Sequence, residues 1–573
     1  MVRKPPPRRR DARNRRLWTH AAPIVGIAAV AFAVGIVVGR GPDRAEHKLV
    51  TDYLRAWAHQ DYSRMYSMLD PASRARVTQD AFTAAFQGAA STATIVSTTT
   101  GRIGKRHGDL VPVPVTLVTR LFGTLHRTLQ LPLTGTGSSA HVRYSDRLLF
   151  PGLGPGEALT RHTTMAQRST IFARDGTPLA QGPNRISPIP GVASQIVGTL
   201  GPIPPADVGL YQRLGYPPDA KVGLDGLERV FQQRLAGAPG GVLLGGSKVL
   251  ASVSPAPGLS VTSTIDPRLE QAAIAAMANR YAGIVAMDPR TGELLALAGI
   301  AYSALQPPGS TFKIITATGA LQAGIVKMSD TFPYATQALV GGVPLQNANG
   351  ESCGGTFVQA FANSCNSVFA PLGAKLGGAK LVATAEKFGF NQPTGIAGAA
   401  ESTIPSASDI GDDLAVGSSA IGQGLVQTTP LEMTDVAATI AMGGKRPIPT
   451  LQSGEKPRFV RVTSRHIAHL VQLLMIAVVR FGTGTVASIP GITIAGKTGT
   501  AELRNTVVPT GTTTTPGQPP PNSPLNTDSW FVGYGPVGHP RIVVGALFPA
   551  QGAGATTAAP AVRQVLAAAL QHA

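Results

Sequence analysis

Cysteine is nearly absent: 573 residues contain two, Cys353 and Cys365. That excludes a disulfide-stapled scaffold and any finger-type Cys/His metal spacing. The pair could bridge in an oxidising compartment or stay as two buried thiols; the spacing is not the C-x-x-C of a redox centre. Charge is also sparse, at 14% of residues against 43% apolar, which excludes wholesale disorder. Acidic residues are the scarcer kind, 31 against 50 Lys and Arg, leaving a formal charge of +19. Such an excess either attracts anionic polymers and lipid headgroups or reflects drift toward arginine. No nucleic-acid motif accompanies it. Long apolar runs are missing too, with one exception.

That exception is Ala21 to Gly39, nineteen residues without a charge. It follows a basic tail, residues 1–20, with a local charge of +7. As a helix the run would span about 28 Å, one hydrocarbon core. The basic flank stays inside, so the reading is a cytoplasmic tail (1–20), a single transmembrane anchor (21–39) and an extracytoplasmic remainder in the cell membrane. A cleaved signal peptide is the competing reading. No cysteine lies near residue 40 to carry a lipid.

Beyond the anchor the texture changes twice. Residues 44–150 read as helices with an apolar stripe, Leu49, Val50, Tyr53, Leu54 and Trp57, and then as Thr/Val/Leu-rich antiparallel strands, a small α+β domain. After a Gly/Pro-rich joint at 151–159, residues 160–260 read as an extended linking module. Residues 261–573 read as an α/β domain: strands at both ends of the segment form one sheet, and Ala/Leu-rich helices fill much of 310–440 between them. The Thr/Pro/Gly-rich tract from Val508 to Thr527 reads as a flexible surface insertion.

Three short segments of that last domain carry chemistry. In Pro308-Gly-Ser-Thr-Phe-Lys313, Ser310 and Lys313 stand at i and i+3 on one helical face. A serine hydroxyl needs a base to become a nucleophile, and a lysine serves only when burial or a second cation favours its neutral amine. An N-capping serine with a solvated lysine is the plainer reading, and Ser453-Gly-Glu-Lys456 matches the same spacing in a loop. Ser364-Cys365-Asn366 interrupts an apolar helical stretch, where polar atoms need partners or a task. Gly496-Lys497-Thr498-Gly499-Thr500-Ala501 reads as a strand of small residues able to pair with an extended peptide. Lys497 would supply fixed charge, Thr498 a carboxylate contact and Gly499 room for a close ligand.

Together these segments resemble the penicillin-binding and serine beta-lactamase superfamily, whose pattern is S-x-x-K, S-x-N and K-T-G. The surrounding text, Thr264-Ile-Asp-Pro-Arg-Leu-Glu270, Ala286-Met-Asp-Pro-Arg-Thr-Gly-Glu293, Ile421-Gly-Gln-Gly424, Thr429-Pro-Leu431 and Trp530-Phe-Val-Gly-Tyr534, resembles the transpeptidase domain of high-molecular-mass members. Gly223-Leu-Asp-Gly-Leu-Glu228 looks like the end of their pedestal, or dimerisation, module. Residues 44–150 look like the NTF2-like domain of the MecA type found in some class B proteins. No glycosyltransferase domain of class A fits in that space, and the Ala/Gly/Arg-rich texture is similar to actinobacterial members.

The resemblance implies a peptidoglycan D,D-transpeptidase that forms an acyl-enzyme on Ser310 and is inhibited by beta-lactams. Lys313 would be the base, with Ser364 and Lys497 completing the proton path. The backbone N–H groups of Ser310 and Thr500 would form the oxyanion hole. Thr498, Gly499 and Thr500 would bind the terminal carboxylate end of a D-Ala-D-Ala stem and Asn366 its amide. Implied partners are stem peptides as donor and amine acceptor, covalently bound beta-lactams, and membrane wall-synthesis proteins such as a glycosyltransferase; neither cofactor nor metal is implied. A D,D-carboxypeptidase or serine beta-lactamase would share the nucleophile. A beta-lactam sensor or a division or elongation scaffold would share the fold alone.

Overall fold

The computed structural model describes residues 44–503 and 523–571, so the expected tail and anchor at 1–39 and most of the tract 508–527 lie outside the described residues. Among the described residues no helix is long and apolar enough to cross a membrane. The chain forms two compact units. The first takes the chain to Ala166 together with Ile203–Ala220 and Ala238–Ala256; the second comprises Gln167–Pro202, Lys221–Gly237 and everything from Pro257 onward.

In the first unit four helices between Arg44 and Thr92 precede a four-stranded antiparallel sheet whose strands run in chain order. Helix Arg44–Ala58 buries Val50, Tyr53, Leu54 and Trp57, a stripe at i, i+3, i+4 and i+7. The next helices are capped by Asp61, Asp70 and Thr78, whose side chains accept from the N–H three residues on. In the sheet, strand Leu110–Thr119 alternates strictly, with Val111, Val113, Val115 and Leu117 buried. Its two prolines, Pro112 and Pro114, sit where the neighbouring strand Ile95–Thr100 has ended. There their carbonyls still accept from Gly104 and Gly101 and their missing N–H groups interrupt no ladder.

The second unit is built on a five-stranded antiparallel sheet. Its strands are β1 (Gly283–Asp288), β2 (Glu293–Gly299), β3 (Ala495–Glu502), β4 (Thr527–Gly535) and β5 (Ile542–Phe548), in the spatial order β2-β1-β5-β4-β3. Strands from both ends of the segment therefore share one sheet, as the sequence suggested. The helices that matter below are α1 (Pro267–Met277), α2 (Lys313–Gln322), α3 (Phe357–Ala362), α4 (Asn366–Leu376), α5 (Pro430–Ala441), α6 (Arg465–Arg480) and α7 (Ala558–Leu570). One face of the sheet, with Ile284, Ala286, Phe531, Val544 and Phe548, packs on α1 and α7. The other, with Val285, Met287, Val532, Val543 and Leu547, packs on the helical block. Burial on both faces explains why β1 and β5 read as unbroken apolar runs. The outer strand β2 is partly covered by α1, whose buried Glu270 accepts the Leu297 N–H at 2.7 Å.

Helices fill much of 310–440, as expected, with a strand-bearing stretch inserted among them. Between Thr331 and Thr356 the chain forms four short strands. Two of them, Gln337–Val340 and Val343–Gln346, close on Gly341-Gly342, both at positive φ. A two-residue turn of that kind selects a hairpin over a helix.

The Gly223–Glu228 segment has a steric and electrostatic reason. A Cβ on Gly223 would stand 2.2 Å from the Glu228 carbonyl carbon, and one on Gly226 (φ +55°) 2.6 Å from the Gly198 nitrogen. Glu228 is buried and takes Arg168 Nε at 2.5 Å and Arg185 Nε at 2.6 Å. Truncating one partner strands buried cations, so Glu228→Ala should cost about 3–5 kcal/mol, read as a lower denaturant midpoint.

Candidate active site

Close backbone approaches hold the turn that carries Ser310. Residues Gly309–Phe312 form a 3₁₀ turn leading directly into α2. Gly309 has φ +52°, and a Cβ there would lie 2.7 Å from the Thr500 carbonyl oxygen on β3. The Gly309 N–H donates to Gly422 O at 2.9 Å. Gly422 in turn is at φ +76° and has no space for a side chain against the Gly309 carbonyl. The Ile421–Gly424 motif is therefore a backbone clamp on the nucleophile turn. A Cβ on Gly499 would meet Pro308 O at 2.8 Å and Thr311 Cγ2 at 2.9 Å. The missing side chain at Gly499 thus lets β3 press against the turn.

The Ser-Cys-Asn trio interrupts helical chain for a reason visible in its backbone. Helix α3 ends at Ala362, Ser364 adopts a left-handed conformation at φ +61°, and α4 restarts at Asn366. A non-glycine residue there costs on the order of 1 kcal/mol. It turns the Ser364 hydroxyl toward two lysines. Lys313 Nζ lies 2.7 Å from Ser364 O, 2.7 Å from Asn366 Oδ1 and 3.3 Å from Ser364 Oγ. Lys497 Nζ reaches the same Ser364 Oγ at 2.9 Å and Thr498 O at 3.1 Å. Asn366 is fixed from its other end, Nδ2 donating to Gln346 O at 2.9 Å.

Both lysines are fully buried, with 0% exposure. Burial, and then the charge of Lys497, holds the Lys313 ammonium well below the usual lysine range. Burial alone pulls Lys497 down to about 7. The rings of Phe369 and Phe361, 5.6 Å and 5.5 Å from the two nitrogens, offset part of that cost. A neutral Lys313 can donate two N–H groups to Ser364 O and Asn366 Oδ1. Its lone pair is then free to accept a hydroxyl proton.

Of the residues singled out in the sequence, Lys313, Ser364, Asn366 and Lys497 form one hydrogen-bonded cluster. Ser310 is half-buried on the adjoining turn, and its hydroxyl makes no hydrogen bond among the described residues. Thr498 and Thr500 lie on β3; the Thr500 hydroxyl accepts from Gly554 N at 3.3 Å. Two contributors carried no sequence signal. Thr483, just past α6, places its Oγ1 2.5 Å from Thr498 Oγ1 and donates its N–H to Ala362 O, tying β3 to the end of α3. Asn347 accepts the Ser367 N–H and donates to Ala335 O and Glu351 O, bracing the start of α4. Threonine and asparagine in loops are too common for either to stand out in one sequence.

Cys353 and Cys365 are joined, their Cα atoms 5.5 Å apart. The bridge fixes the residue between Ser364 and Asn366 to strand Cys353–Thr356.

With this geometry in hand, comparison with known proteins is direct. The family described as the penicillin binding protein transpeptidase domain matches residues 282–567. The penicillin-binding protein dimerisation domain matches 179–245 and the NTF2-like N-terminal transpeptidase domain 45–157. The chain belongs to the penicillin-binding protein transpeptidases. Among relatives, it is 32% identical over 378 residues to the peptidoglycan D,D-transpeptidase PbpA of Mycolicibacterium smegmatis, covering 55% of this chain and 73% of that protein. The Mycobacterium tuberculosis PbpA matches at the same identity and coverage. Among solved structures, the penicillin G acyl-enzyme complex of M. tuberculosis penicillin-binding protein A is 27% identical at TM-score 0.55, covering 71% of this chain and 100% of that one. The D,D-transpeptidase domain of an Eggerthella lenta peptidoglycan glycosyltransferase is 28% identical at TM-score 0.57, covering 71% and 99%.

Two measurements check the site's energetics. Replacing both cysteines by serine should lower stability by about 2–4 kcal/mol in chemical denaturation. Lys497 titrates near 7 when folded and near 10.5 when unfolded. Between those values the unfolded chain binds more protons, so stability rises with pH. Wild type should therefore gain stability relative to Lys497→Met as pH climbs through that window, and parallel curves would contradict the assignment.

Proposed function

We propose that this chain is a peptidoglycan D,D-transpeptidase working through an ester on Ser310. The observation that carries the reading is the single hydroxyl, Ser364 Oγ, shared by Lys313 Nζ at 3.3 Å and Lys497 Nζ at 2.9 Å beside the Ser310 turn. Neutral Lys313 takes the proton as Ser310 Oγ attacks the carbonyl of the penultimate D-Ala. The oxyanion forms against the N–H groups of Ser310 and Thr500; in support, the Gly309 backbone lies directly on the Thr500 carbonyl. The proton then passes through Ser364, with Lys497 holding its oxygen, to the departing D-Ala amine as the C–N bond breaks. An amine from a second stem attacks the ester, gives up its proton by the reverse route and frees Ser310, so that two strands are joined.

Thr498 and Thr500 would hold the terminal carboxylate and Asn366 the stem amide, while Gly499 would let the stem lie close along β3. A penicillin ring enters the same path, in keeping with the acyl-enzyme named for the M. tuberculosis protein. A single-pass anchor at 21–39 with residues 1–20 in the cytoplasm would keep the site outside the cell membrane, near stems and wall-synthesis partners. The domain reading at 44–150, 160–260 and 261–573 belongs to the same proposal, supported by family matches at 45–157, 179–245 and 282–567.

Intact-mass analysis of the protein mixed with penicillin checks the mechanism. Wild type should gain one penicillin mass that persists for minutes to hours, and Ser310→Ala should gain none. Loss of the adduct within a second would favour the beta-lactamase reading. An adduct without transfer of a donor stem to an acceptor amine would favour the sensor.

A further inference from the structure

The second unit holds another concave site, at the opposite end of α6 from Thr483. A cavity of about 540 Å³ is lined by Arg290, Arg465, His469, His539 and Arg541 around the main chain of residues 440–443. No carboxylate lines it. Its walls come from distant stretches of chain: the β1–β2 turn, the C-terminal end of α5, the first turns of α6 and the β4–β5 connection. None of the residues lining it belongs to the Ser310, Ser364 or Lys497 segments.

The cations are not equally engaged. Arg290 is committed to Asp288, with Nε at 2.9 Å and Nη2 at 2.7 Å from its two oxygens. Nearby Arg461 donates to Gly443 O at 3.0 Å, the ordinary use of arginine at the carbonyl end of a helix. Arg465 and Arg541 form no ion pair among the described residues, and both are exposed. Neither fills the core or caps a carbonyl. Two unpaired guanidiniums converging on one concavity repel each other, and a concave wall focuses the field they create. An anion would relieve that repulsion, and the planar guanidinium fork suits phosphate oxygens two at a time. The cavity is of a size that holds a small ligand group.

We propose that this pocket binds a phosphate ester, held by Arg465 and Arg541 with Arg290 and the two histidines at its rim. The site lies outside the transpeptidation machinery and would fasten the domain to a phosphate-bearing wall polymer through short glycerol phosphate-like units. Beyond the basic tail the chain carries a formal charge of +12 (+19 less +7), which supplies long-range attraction, while the two arginines supply the specific contact.

Titration of the full-length protein in detergent with a short glycerol phosphate oligomer tests this, with polyglutamate of equal charge as comparison. Wild type should bind the phosphate oligomer at least tenfold more tightly than Arg465→Gln/Arg541→Gln, and more tightly than it binds polyglutamate. The rate of penicillin acylation should be the same in both proteins, which shows that the variant is folded. Equal affinity of wild type and variant would overturn the site. Equal affinity for phosphate and carboxylate polymers would overturn the choice of ligand.

Discussion

Two buried amines share one hydroxyl, and most of the second unit is arranged around that fact. Lys313 and Lys497 both approach Ser364 Oγ, both are fully buried, and the charge of Lys497 makes one on Lys313 more expensive still. The cost is met by a local acceptor set: Ser364 O and Asn366 Oδ1 for one lysine, Thr498 O for the other, and two phenylalanine faces. A lysine in water would be a useless base near neutral pH. Burial converts it into one without any unusual chemistry in the side chain.

Holding that cluster requires three separate pieces of chain to keep their places. The turn bearing Ser310 is pinned by backbone contacts at Gly309, Gly422 and Gly499, where any side chain would push the pieces apart. The end of α3 is tied to β3 through Thr483 and to strand Cys353–Thr356 through the Cys353–Cys365 bridge. The sheet beneath is packed on both faces, so β3 has little freedom to drift. Rigid support of this kind suits a reaction whose donors must already face the developing charge.

Much of this was legible before any coordinates. The stripe at Val50, Tyr53, Leu54 and Trp57 announced its helix through the period of the chain's own geometry, and Thr/Val/Leu-rich composition announced the strands. Ser310, Lys313, Ser364, Asn366 and Lys497 were recognisable by residue type and order. The four short strands between Thr331 and Thr356 were not picked out within a segment read as largely helical, although Gly341-Gly342 marks a turn there. Thr483 was not picked out either, because the Ala362 carbonyl it holds lies 121 residues away in sequence.

The sequence by itself determined the chemistry available: which hydroxyl, which amines, which amide, and the order in which the segments carrying them occur. Local periodicity and turn residues also determined most of the helices and strands. Only the tertiary structure decided how charged those groups are and what they touch. Ser364 lies 51 residues from Lys313 and 133 from Lys497. Proton affinity depends on distance and on the water excluded, and both are properties of packing.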